Sequence, residues 1–413
     1  MRSEIDSGNG LRPISWVVVG LVLVGLAIGL LPLLLHLSPP SSPGIGPVFA
    51  YFPAIVVAFL CYALDRTSKR KEKIDSLLLC VVFTFLTTYL HVWLVDLGRY
   101  FSEASNLEWQ VFMQKSVLAL SPDTLPHSYR FLPNSVVRLF EQVTGDFAVA
   151  RDTYRNLFGV LLFYSFYRFS RLFLRHGGAL FSLALVAVVL PVSFRYYAGQ
   201  LTDPLSHLSF ILAFIFLETE QFVYLLLSVM IGCLAKETIV AMSGYYLLFR
   251  WREQSYLGKS VVLVVGSLAV FEFARLSVLH GLPNYQQISG VTPDHIVRNW
   301  NDYAEWLPGL LGTVGIFVPF VAAGWQKSPW TLRSLAIYWF PVFFVSGLFF
   351  SWLREARNFV PLAAILVVLT VYHLMPAERT ESIGDAAVVS SGPKSRGLGR
   401  LGSKKFRRSR LQR

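Results

Sequence analysis

Residues 353–374 read LREARNFVPLAAILVVLTVYHL, which places a charged segment directly before an apolar run. The run from Phe359 to Leu374 contains no Asp, Glu, Lys or Arg. An α-helix rises about 1.5 Å per residue, so this run approaches the length that a hydrocarbon core of roughly 30 Å requires. The stretch predicts a membrane helix with polar groups gathered at its first end.

The rest of the chain repeats this pattern. Of its 413 residues, 54% are hydrophobic and 15% are charged, which is outside the balance of ordinary soluble domains. Apolar runs broken by Gly, Pro and charge predict about twelve spans. These spans are 14–37, 48–64, 76–95, 153–168, 177–194, 205–218, 222–235, 238–250, 260–280, 307–325, 334–352 and 359–374. The sequence therefore predicts an all-α polytopic membrane protein with a single transmembrane domain, residues 1–375.

Little sequence is left for soluble chemistry. The longest stretch without a membrane-like run is 96–152, which is too short for an ordinary nucleotide-binding α/β domain. The sequence contains no Walker A, GxGxxG or CxxC motif. Chemistry must therefore come from helix ends and loops. No cofactor is assigned, and a divalent metal ion is left open.

Positive charge is concentrated after Met375. The net charge is +12, and residues 376–413 are predicted to form a basic, disordered tail. The tail either acts as a topology signal or contacts anionic lipids, and no nucleic-acid partner is predicted. Lys and Arg are more frequent in the connections on the side of the two termini. The positive-inside rule therefore predicts an inner (plasma) membrane protein with both termini cytoplasmic and with the sites of interest extracytoplasmic.

Two features of the predicted topology suit a site. In the outer loop 96–152, segments 107–113 and 136–140 have apolar residues at helical spacing, which predicts amphipathic helices in the membrane interface. These helices either cover a site or only pack on the bundle. The short spans 222–235 and 238–250 meet at Lys236 and Glu237, and interrupted helices of this kind line cavities or form tight hairpins with snorkelling charges.

Two polar clusters belong to the outer loop. Asp96 and Arg99 follow the third span, where a partly desolvated carboxylate could act as a general base or simply end the helix. Arg130 lies among aromatic residues in HSYRFLP, residues 127–133. Its guanidinium could hold a phosphate by two parallel hydrogen bonds, or anchor the loop at the interface.

Two further clusters precede later spans. In residues 195–204, RYYAGQLTDP, Asp203 and Pro204 are typical of a helix cap, whereas the neighbouring Tyr197 and other polar residues favour a functional role. Before the last span, Arg354 and Arg357 are spaced to share one helical face and grip a phosphate, with Glu355 orienting one of them.

Polar residues inside the spans receive structural interpretations. Glu272 and Arg275 are spaced to form a structural ion pair, with a proton relay as the alternative. His91 and His207 are interpreted as hydrogen-bonded core histidines, because no second His or Cys lies at the spacing of a metal site.

Together these motifs resemble the GT-C superfamily of polyprenyl-phosphate-sugar-dependent integral membrane glycosyltransferases. The resemblance covers Lys73 to Met375 as architecture. It rests on Asp96 at the start of a long outer loop, on Asp203-Pro204, on Lys236-Glu237 and on Arg354-Glu355-Ala356-Arg357 followed by Pro361.

The resemblance implies transfer of a sugar from a polyprenyl-phosphate-linked donor to a glycan or lipid acceptor during envelope glycan or glycolipid synthesis. The implied catalytic carboxylate is Asp96, with Asp203 and Glu237 as second choices. The implied substrate-binding residues are Arg99, Arg130, Tyr197, Lys236, Arg354, Glu355 and Arg357. No metal ligand is assigned.

Other functions use the same features. A transporter or flippase for a lipid-linked or amphipathic solute shares the spans, the broken pair and the arginine-lined cavity. An envelope polymerase, an acyl or phosphoglycan transferase, and a noncatalytic assembly protein are further alternatives.

Overall fold

A computed structural model describes residues 46–65, 68–97, 103–121, 127–193, 201–253, 255–279 and 293–379. The described residues form helices joined by turns, with one isolated antiparallel bridge between Leu174 and Arg379. The all-α prediction is confirmed over this part of the chain. The compact unit to which these residues belong ends at Arg379.

The α-helices are numbered in chain order. They are α1 (Gly46–Leu64), α2 (Arg70–Leu97), α3 (Glu103–Leu118), α4 (Phe131–Thr144), α5 (Phe147–Arg171), α6 (His176–Ser193), α7 (Thr202–Glu218), α8 (Phe222–Cys233), α9 (Ala241–Phe249), α10 (Tyr256–Leu279), α11 (Pro293–Asn301), α12 (Tyr303–Thr313), α13 (Val318–Gly324), α14 (Trp330–Phe350) and α15 (Val360–Leu374).

Several of these helices suit a membrane. Among the described residues, four segments are long and apolar enough to cross one, namely His176–Ser193, Tyr256–Ser277, Trp330–Phe349 and Ala356–Leu374. The pair Tyr303–Thr313 and Gly315–Lys327, bent by 49°, makes a fifth if it is one broken span. The number of about twelve spans stays a prediction, and span 14–37 lies outside the described residues.

The last helix lies at the centre of the bundle. Every residue of α15 from Val360 to Val371 is buried, as expected for a helix that is apolar all round. Helices α6, α13 and α14 pack around it. In contrast, α10 exposes most of its apolar side chains, including Val261 and Val265. The bundle therefore has a well-packed centre and an apolar exterior.

A long helix already begins within the predicted outer loop 96–152. Gly145 ends α4 in the left-handed conformation at φ 75°, and Asp146 caps α5 by accepting a hydrogen bond of 2.8 Å from the backbone N–H of Val149. Helix α5 thus begins at Phe147, before the predicted span 153–168. Arg151 and Asp152 pair within its first turns at 2.9 Å.

The loop also contains the helices that its apolar spacing predicts. Helix α3 contributes Leu107 and Val111, and α4 contributes Val137, to a small core that includes Tyr154 of α5 and Leu205 of α7. The apolar faces therefore pack against the first turns of two long helices. This packing places α3 and α4 beside the N-terminal end of α7.

Helices α5 and α7 define two ends of the bundle. Tyr154 and Leu205 meet near their N-terminal ends, and Phe169 meets Phe214 near their C-terminal ends, at 5.8 Å between ring centroids. At about 1.5 Å per residue, the stretch of α5 from Tyr154 to Phe169 separates these ends by about 22 Å. We call them the Asp203 end and the Arg168 end.

The start of the predicted tail is tied to the bundle. Glu378 accepts a hydrogen bond of 3.2 Å from the backbone N–H of Gly178, and Arg379 Nε donates to the carbonyl of Tyr372 at 2.9 Å. Residues 376–379 thus pack on α6 and α15. The rest of the predicted tail, residues 380–413, lies outside the described residues.

Candidate functional site

Six ionisable side chains come together at the Asp203 end. They belong to the turn before α4, the first turn of α7, the junction between α8 and α9, and the loop before α15. The six are Arg130, Asp203, Lys236, Glu237, Glu355 and Arg357. We call this group the charged cluster. All six are residues that the sequence analysis assigns to the site.

An almost fully buried ion pair forms the middle of the charged cluster. Arg357 Nη1 lies 3.1 Å from Asp203 Oδ2, and both side chains are 1% exposed. Arg357 Nη2 donates to Glu355 Oε2 at 3.0 Å, as the sequence analysis predicts for Glu355. His207 Nε2 donates to the backbone carbonyl of Arg357 at 3.0 Å. These contacts hold the guanidinium in a single orientation.

Asp203 does not cap its helix in the way that Asp-Pro suggests. Helix α7 begins at Thr202, with Leu201 at the N-cap position and no side-chain cap. The Asp203 carboxylate accepts no backbone hydrogen bond from the described residues and pairs with Arg357 instead. Its place in the first helical turn still suits a negative charge, because the N-terminal end of a helix carries partial positive charge. The capping interpretation is therefore wrong for the side chain.

Lys236 enters the cluster from the break between α8 and α9. Its backbone is extended, with φ −161° and ψ 126°, and the next four residues form a short 3₁₀ helix. Lys236 Nζ donates to Asn358 Oδ1 and lies 4.0 Å from Asp203 Oδ1. Burial lowers the pKa of Lys236 to about 8, although Asp203 opposes this effect. The cation that the broken helix brings into the bundle is thus held mainly by a neutral amide.

Glu237 faces Arg130. Arg130 Nε donates to Glu237 Oε2 at 3.0 Å, and Nη2 donates to Oε1, so the contact is bidentate. Burial raises the pKa of Glu237, but Arg130 outweighs burial and lowers the value to about 2. A carboxylate with so low a pKa is a weak base. Glu237 is therefore better suited to hold Arg130 than to accept a proton.

Arg354 lies apart from the charged cluster. Its guanidinium lies over the ring of Trp352, at 3.9 Å from the centroid, and Nη1 is 3.5 Å from Glu305 Oε2. The prediction that Arg354 and Arg357 share one helical face is wrong, because residues 351–355 form turns and helical structure begins only at Ala356. Spacing of three residues aligns side chains only within a continuous helix.

Three predicted site residues cannot be placed in this cluster. Asp96 belongs to α2, but its side chain lies outside the described residues, as do Arg99 and Tyr197. Their roles stay predictions.

Three amides that the sequence did not indicate organise the site, and two of them, Asn134 and Asn299, are buried. Asn358 accepts from Lys236 and donates to Glu355 Oε2 at 3.3 Å. Asn134 Nδ2 donates to the carbonyl of Arg130 at 3.0 Å. Both residues lie close to a charged motif, but an uncharged amide gives no separate signal in a sequence.

Asn299 on α11 is the third of these amides and is buried. Its Nδ2 donates to the carbonyls of Gly347 and Ser351 at 3.1 and 3.2 Å, and its Oδ1 accepts from the backbone N–H of Leu353 at 2.9 Å. These bonds fix the turn that leads into Glu355 and Arg357. No local pattern indicates this role, because α11 meets the turn only through tertiary packing.

A small cavity of about 30 Å³ lies beside the charged cluster. Its lining residues are Trp109, Gln110, Met113, Val117, His127, Asn134, Leu201 and Thr202. Burial and the neighbouring Arg130 lower the pKa of His127 to about 4, so this imidazole is neutral at pH 7. The part of the lining that the structure describes therefore carries no charge at that pH, although Thr202 adjoins Asp203 in the sequence.

The structure also places the polar residues inside the predicted spans. Arg275 Nη1 lies 3.3 Å from Glu272 Oε1 in α10, as the spacing predicts. His207 is a hydrogen-bonded buried histidine, as expected. The side chain of His91 lies outside the described residues.

The charged cluster contains as many cations as carboxylates and lies beside a cavity whose described lining is neutral at pH 7. Within the described ranges, no group of three or more His, Cys, Asp or Glu side chains is arranged to hold a metal ion. The carboxylates of Asp203 and Glu237 instead contact different arginines. Three cations, Arg130, Lys236 and Arg357, are brought together with limited access to water.

Comparisons of the chain with protein-family models, with curated proteins and with solved structures gave no match. The class of this protein is therefore described from its fold and its candidate site alone. The chain is an all-helical protein, in the part described, with several helices that could span a membrane. At one end of its helical bundle it carries the charged cluster, in which the ion pair of Arg357 and Asp203 is buried.

Proposed function

We propose that the protein is an integral membrane glycosyltransferase of GT-C-like architecture. It transfers a sugar from a polyprenyl-phosphate-linked donor to a glycan or lipid acceptor on the extracytoplasmic face of the plasma membrane, in envelope glycan or glycolipid synthesis. The observation that carries this proposal is the convergence of Asp203, Lys236 and Arg357 from three distant parts of the chain.

Lys236 and Arg357 would bind the donor phosphate. An ammonium has three N–H donors, and among the described residues one of those of Lys236 goes to Asn358. Arg357 is held in place by Asp203 and Glu355 before any ligand arrives. Preorganised cations in a water-poor site stabilise developing negative charge more strongly than the same cations in water. The pair thus suits a phosphate leaving group.

A carboxylate would activate the acceptor. The carboxylate takes the proton of an acceptor hydroxyl, the hydroxyl oxygen bonds to the anomeric carbon, and the bond between that carbon and the phosphate oxygen breaks. Asp96 is the first candidate, from the resemblance. Asp203 is the second, because its Oδ1 accepts no hydrogen bond from the described residues. Glu237 ranks last, since Arg130 contacts both of its oxygens.

The apolar exterior supports a lipid-linked donor. Side chains such as Val261, Val265 and Phe273 on α10 are exposed, and burying apolar area against a polyprenyl tail is favourable by about 25 cal/mol per Å². The donor would thus have its tail against the helices and its phosphate in the charged cluster.

The test uses the purified full-length protein in nanodiscs. Polyprenyl phosphates carrying radiolabelled glucose, mannose or galactose are incubated with envelope extract, and the transfer of label is measured. Asp96→Asn and Lys236→Met should each lower transfer by about 10²–10³-fold, the loss typical of removing one transition-state contact. Lys259→Met is the matched control, because Lys259 pairs with Glu253 at 3.4 Å outside the charged cluster.

Full activity in the two site variants would overturn the site assignment. A different outcome would be that the wild-type protein moves the intact labelled donor across a liposome membrane and transfers no sugar. That result would contradict the proposed glycosyltransferase activity and support a transporter.

A further inference from the structure

Helix α11 is bound to the last turn of a candidate membrane span. Asn299 Nδ2 donates to the carbonyls of Gly347 and Leu348 at 3.1 and 3.2 Å, and both carbonyls belong to the last turn of α14. With 21 residues, α14 is about as long as the hydrocarbon core of a bilayer is thick. Its last turn therefore lies near the boundary between hydrocarbon and water, and α11 lies at the same depth.

That turn is at the Asp203 end of the bundle. Phe343, near the end of α14, lies 6.2 Å from Phe359 between ring centroids, and Phe359 follows Arg357 by two residues. Trp339, which lies earlier in α14, meets Phe214 near the C-terminal end of α7. Helix α14 thus runs toward the Asp203 end, and α11 is bound beside the charged cluster.

Helix α11 has an apolar face that is exposed. Ile296, Val297 and Trp300 are all exposed, and Trp300 is 80% exposed. At 3.6 residues per turn, these three positions lie within an arc of about 100°. Arg298 is also exposed and lies on the opposite side of the helix. Apolar and cationic faces opposite one another, with a tryptophan on the apolar face, are typical of helices that lie in the plane of a membrane interface.

The neighbours of α11 indicate that lipid covers this face. Helix α11 packs on α14 and α12, and both belong to candidate spans. Val345 of α14 and Leu311 of α12 are exposed apolar side chains. In a membrane the exterior of a span is covered by lipid chains. The apolar face of α11 lies next to this exterior, at the depth where the chains meet the headgroups.

The charge beside α11 suits lipid phosphates. The guanidiniums of Arg298 and Arg354 lie 5.3 and 3.9 Å from the ring centroid of Trp352. Tryptophan rings are enriched at the headgroup level of membrane proteins, and arginine side chains extend from there toward water and phosphate. The surface around α11 therefore combines an apolar face with cations, as the surface of a phospholipid bilayer requires.

We propose that α11 docks on the bilayer surface at the Asp203 end, with Ile296, Val297 and Trp300 among the lipid chains below the headgroups, and that this contact holds Arg357 at the depth of the lipid phosphates. Asn299 provides the link, because its Oδ1 accepts from the backbone N–H of Leu353 at 2.9 Å in the turn that leads to Arg357. The second part rests on the proposed function, in which Arg357 binds the phosphate of a lipid-linked donor.

The first experiment locates α11 without reference to activity. The full-length protein is reconstituted in liposomes of phosphatidylcholine with bromine on the lipid chains, either near the headgroup or near the chain end, because bromine quenches the fluorescence of a tryptophan that it contacts. Trp300→Phe should lower the quenched intensity relative to wild type, and the decrease should be larger with bromine near the headgroup. Trp339→Phe is the control, because Trp339 is 0% exposed and should not contribute to the quenched intensity.

Equal quenched intensity in wild type and Trp300→Phe would overturn the docking of α11. A larger decrease with bromine near the chain end would also overturn it, because Trp300 would then lie deeper than the interface.

The second experiment tests the link to Arg357 by binding. The affinity of the protein in nanodiscs is measured for long-chain polyprenyl phosphate and for geranyl phosphate, a short-chain phosphate added from water. Trp300→Ser should weaken the binding of polyprenyl phosphate by about tenfold and that of geranyl phosphate by less than twofold, because only the long-chain ligand has its depth fixed by the bilayer. Trp330→Ser removes an exposed tryptophan at the first residue of α14, at the opposite end of the span, and should change neither affinity.

Equal losses for the two phosphates in Trp300→Ser, or no loss, would overturn the link between α11 and Arg357. If wild-type protein binds neither phosphate, the proposed function and the link both fail, whereas the quenching result still decides whether α11 docks on the bilayer. Quenching that does not depend on Trp300, in a protein that binds polyprenyl phosphate, would contradict the docking and leave the proposed function intact.

Discussion

The two ends of the bundle carry arginine–carboxylate pairs of equal length in different surroundings. Arg357 and Asp203 are 3.1 Å apart and both are 1% exposed. Arg168 and Asp65 at the Arg168 end are also 3.1 Å apart, but the Arg168 side chain is 34% exposed. Distance alone therefore does not distinguish a candidate site from a structural contact.

Burial changes what such a pair contributes. A pair that reaches water adds little stability, because both charges are also well solvated when separated. A buried pair requires desolvation of both ions, and hydrophobic residues of similar volume are often at least as stable. The retention of six charges at the Asp203 end thus favours a chemical role, whereas the Arg168 end is explained by helix-end pairing.

The largest expected effect comes from breaking the buried pair. Arg357→Met leaves the Asp203 carboxylate buried with only the distant contact to Lys236, which should cost about 3–5 kcal/mol of unfolding free energy. Transfer should also be lost. The thermal unfolding midpoint in detergent and the transfer assay measure the two effects.

The double variant Asp203→Leu/Arg357→Met separates structure from function. Removal of both partners should restore most of the stability, because no ion of the pair remains unpaired. Activity should stay lost. Wild-type transfer by the stable double variant would show that this pair is only structural.

A second, intermediate effect concerns pH. Since burial lowers the pKa of Lys236 to about 8, the kcat/KM for the donor should fall above pH 8 as the ammonium becomes neutral. Lys236→Arg should move this fall to higher pH, because a guanidinium stays charged. An unchanged pH profile in Lys236→Arg would contradict the assignment of the alkaline fall to Lys236.

The stability of the protein should change in the opposite direction over this range. The unfolded chain retains the proton on Lys236 up to its ordinary pKa of 10.5, whereas the folded protein loses it near 8. The unfolded state therefore binds more protons between these values, and the contribution of Lys236 to stability rises with pH. If activity is lost at pH 9 while the unfolding midpoint is unchanged or higher, the loss comes from deprotonation of Lys236 and not from unfolding.

The smallest expected effect belongs to the Arg168 end. Asp65→Asn removes the charge that faces Arg168. It keeps an oxygen that can accept the hydrogen bond that the backbone N–H of Ser68 donates to the Asp65 carboxylate at 3.2 Å. We expect a loss of about 1–2 kcal/mol in unfolding free energy and transfer within twofold of wild type. An activity loss as large as that of Arg357→Met would remove the distinction between the two ends.

Side-chain spacing and capping patterns in the sequence predicted some side-chain contacts correctly and others wrongly. Glu272 and Arg275 pair as their spacing requires, because they lie within one continuous helix. Arg354 and Arg357 have the same spacing and different partners, because the backbone between them is a turn. For Asp203 a capping role was chemically reasonable, but a buried guanidinium competes with the first-turn amides for the same carboxylate.

Some parts of the candidate site were likewise predictable from the sequence, and others were not. Arg130, Lys236 and Arg357 were recognisable because charges beside apolar runs are costly and need a reason. The cavity was not recognisable, although Trp109, His127 and Thr202 all lie within segments that the sequence analysis singled out. Its walls come from three separate segments, and their alignment depends on the small core that joins α3, α4, α5 and α7.

The sequence by itself determined the helical class and the polar segments of this protein. Both follow from properties of short stretches, since an apolar run favours a helix that satisfies its own backbone and a charge near such a run requires a partner. Only the tertiary structure decided that Asp203 pairs with Arg357, that Lys236 meets Asn358 and that Asn299 holds the turn before Glu355. Such pairings depend on how distant helices pack, and no single segment of the chain contains that information.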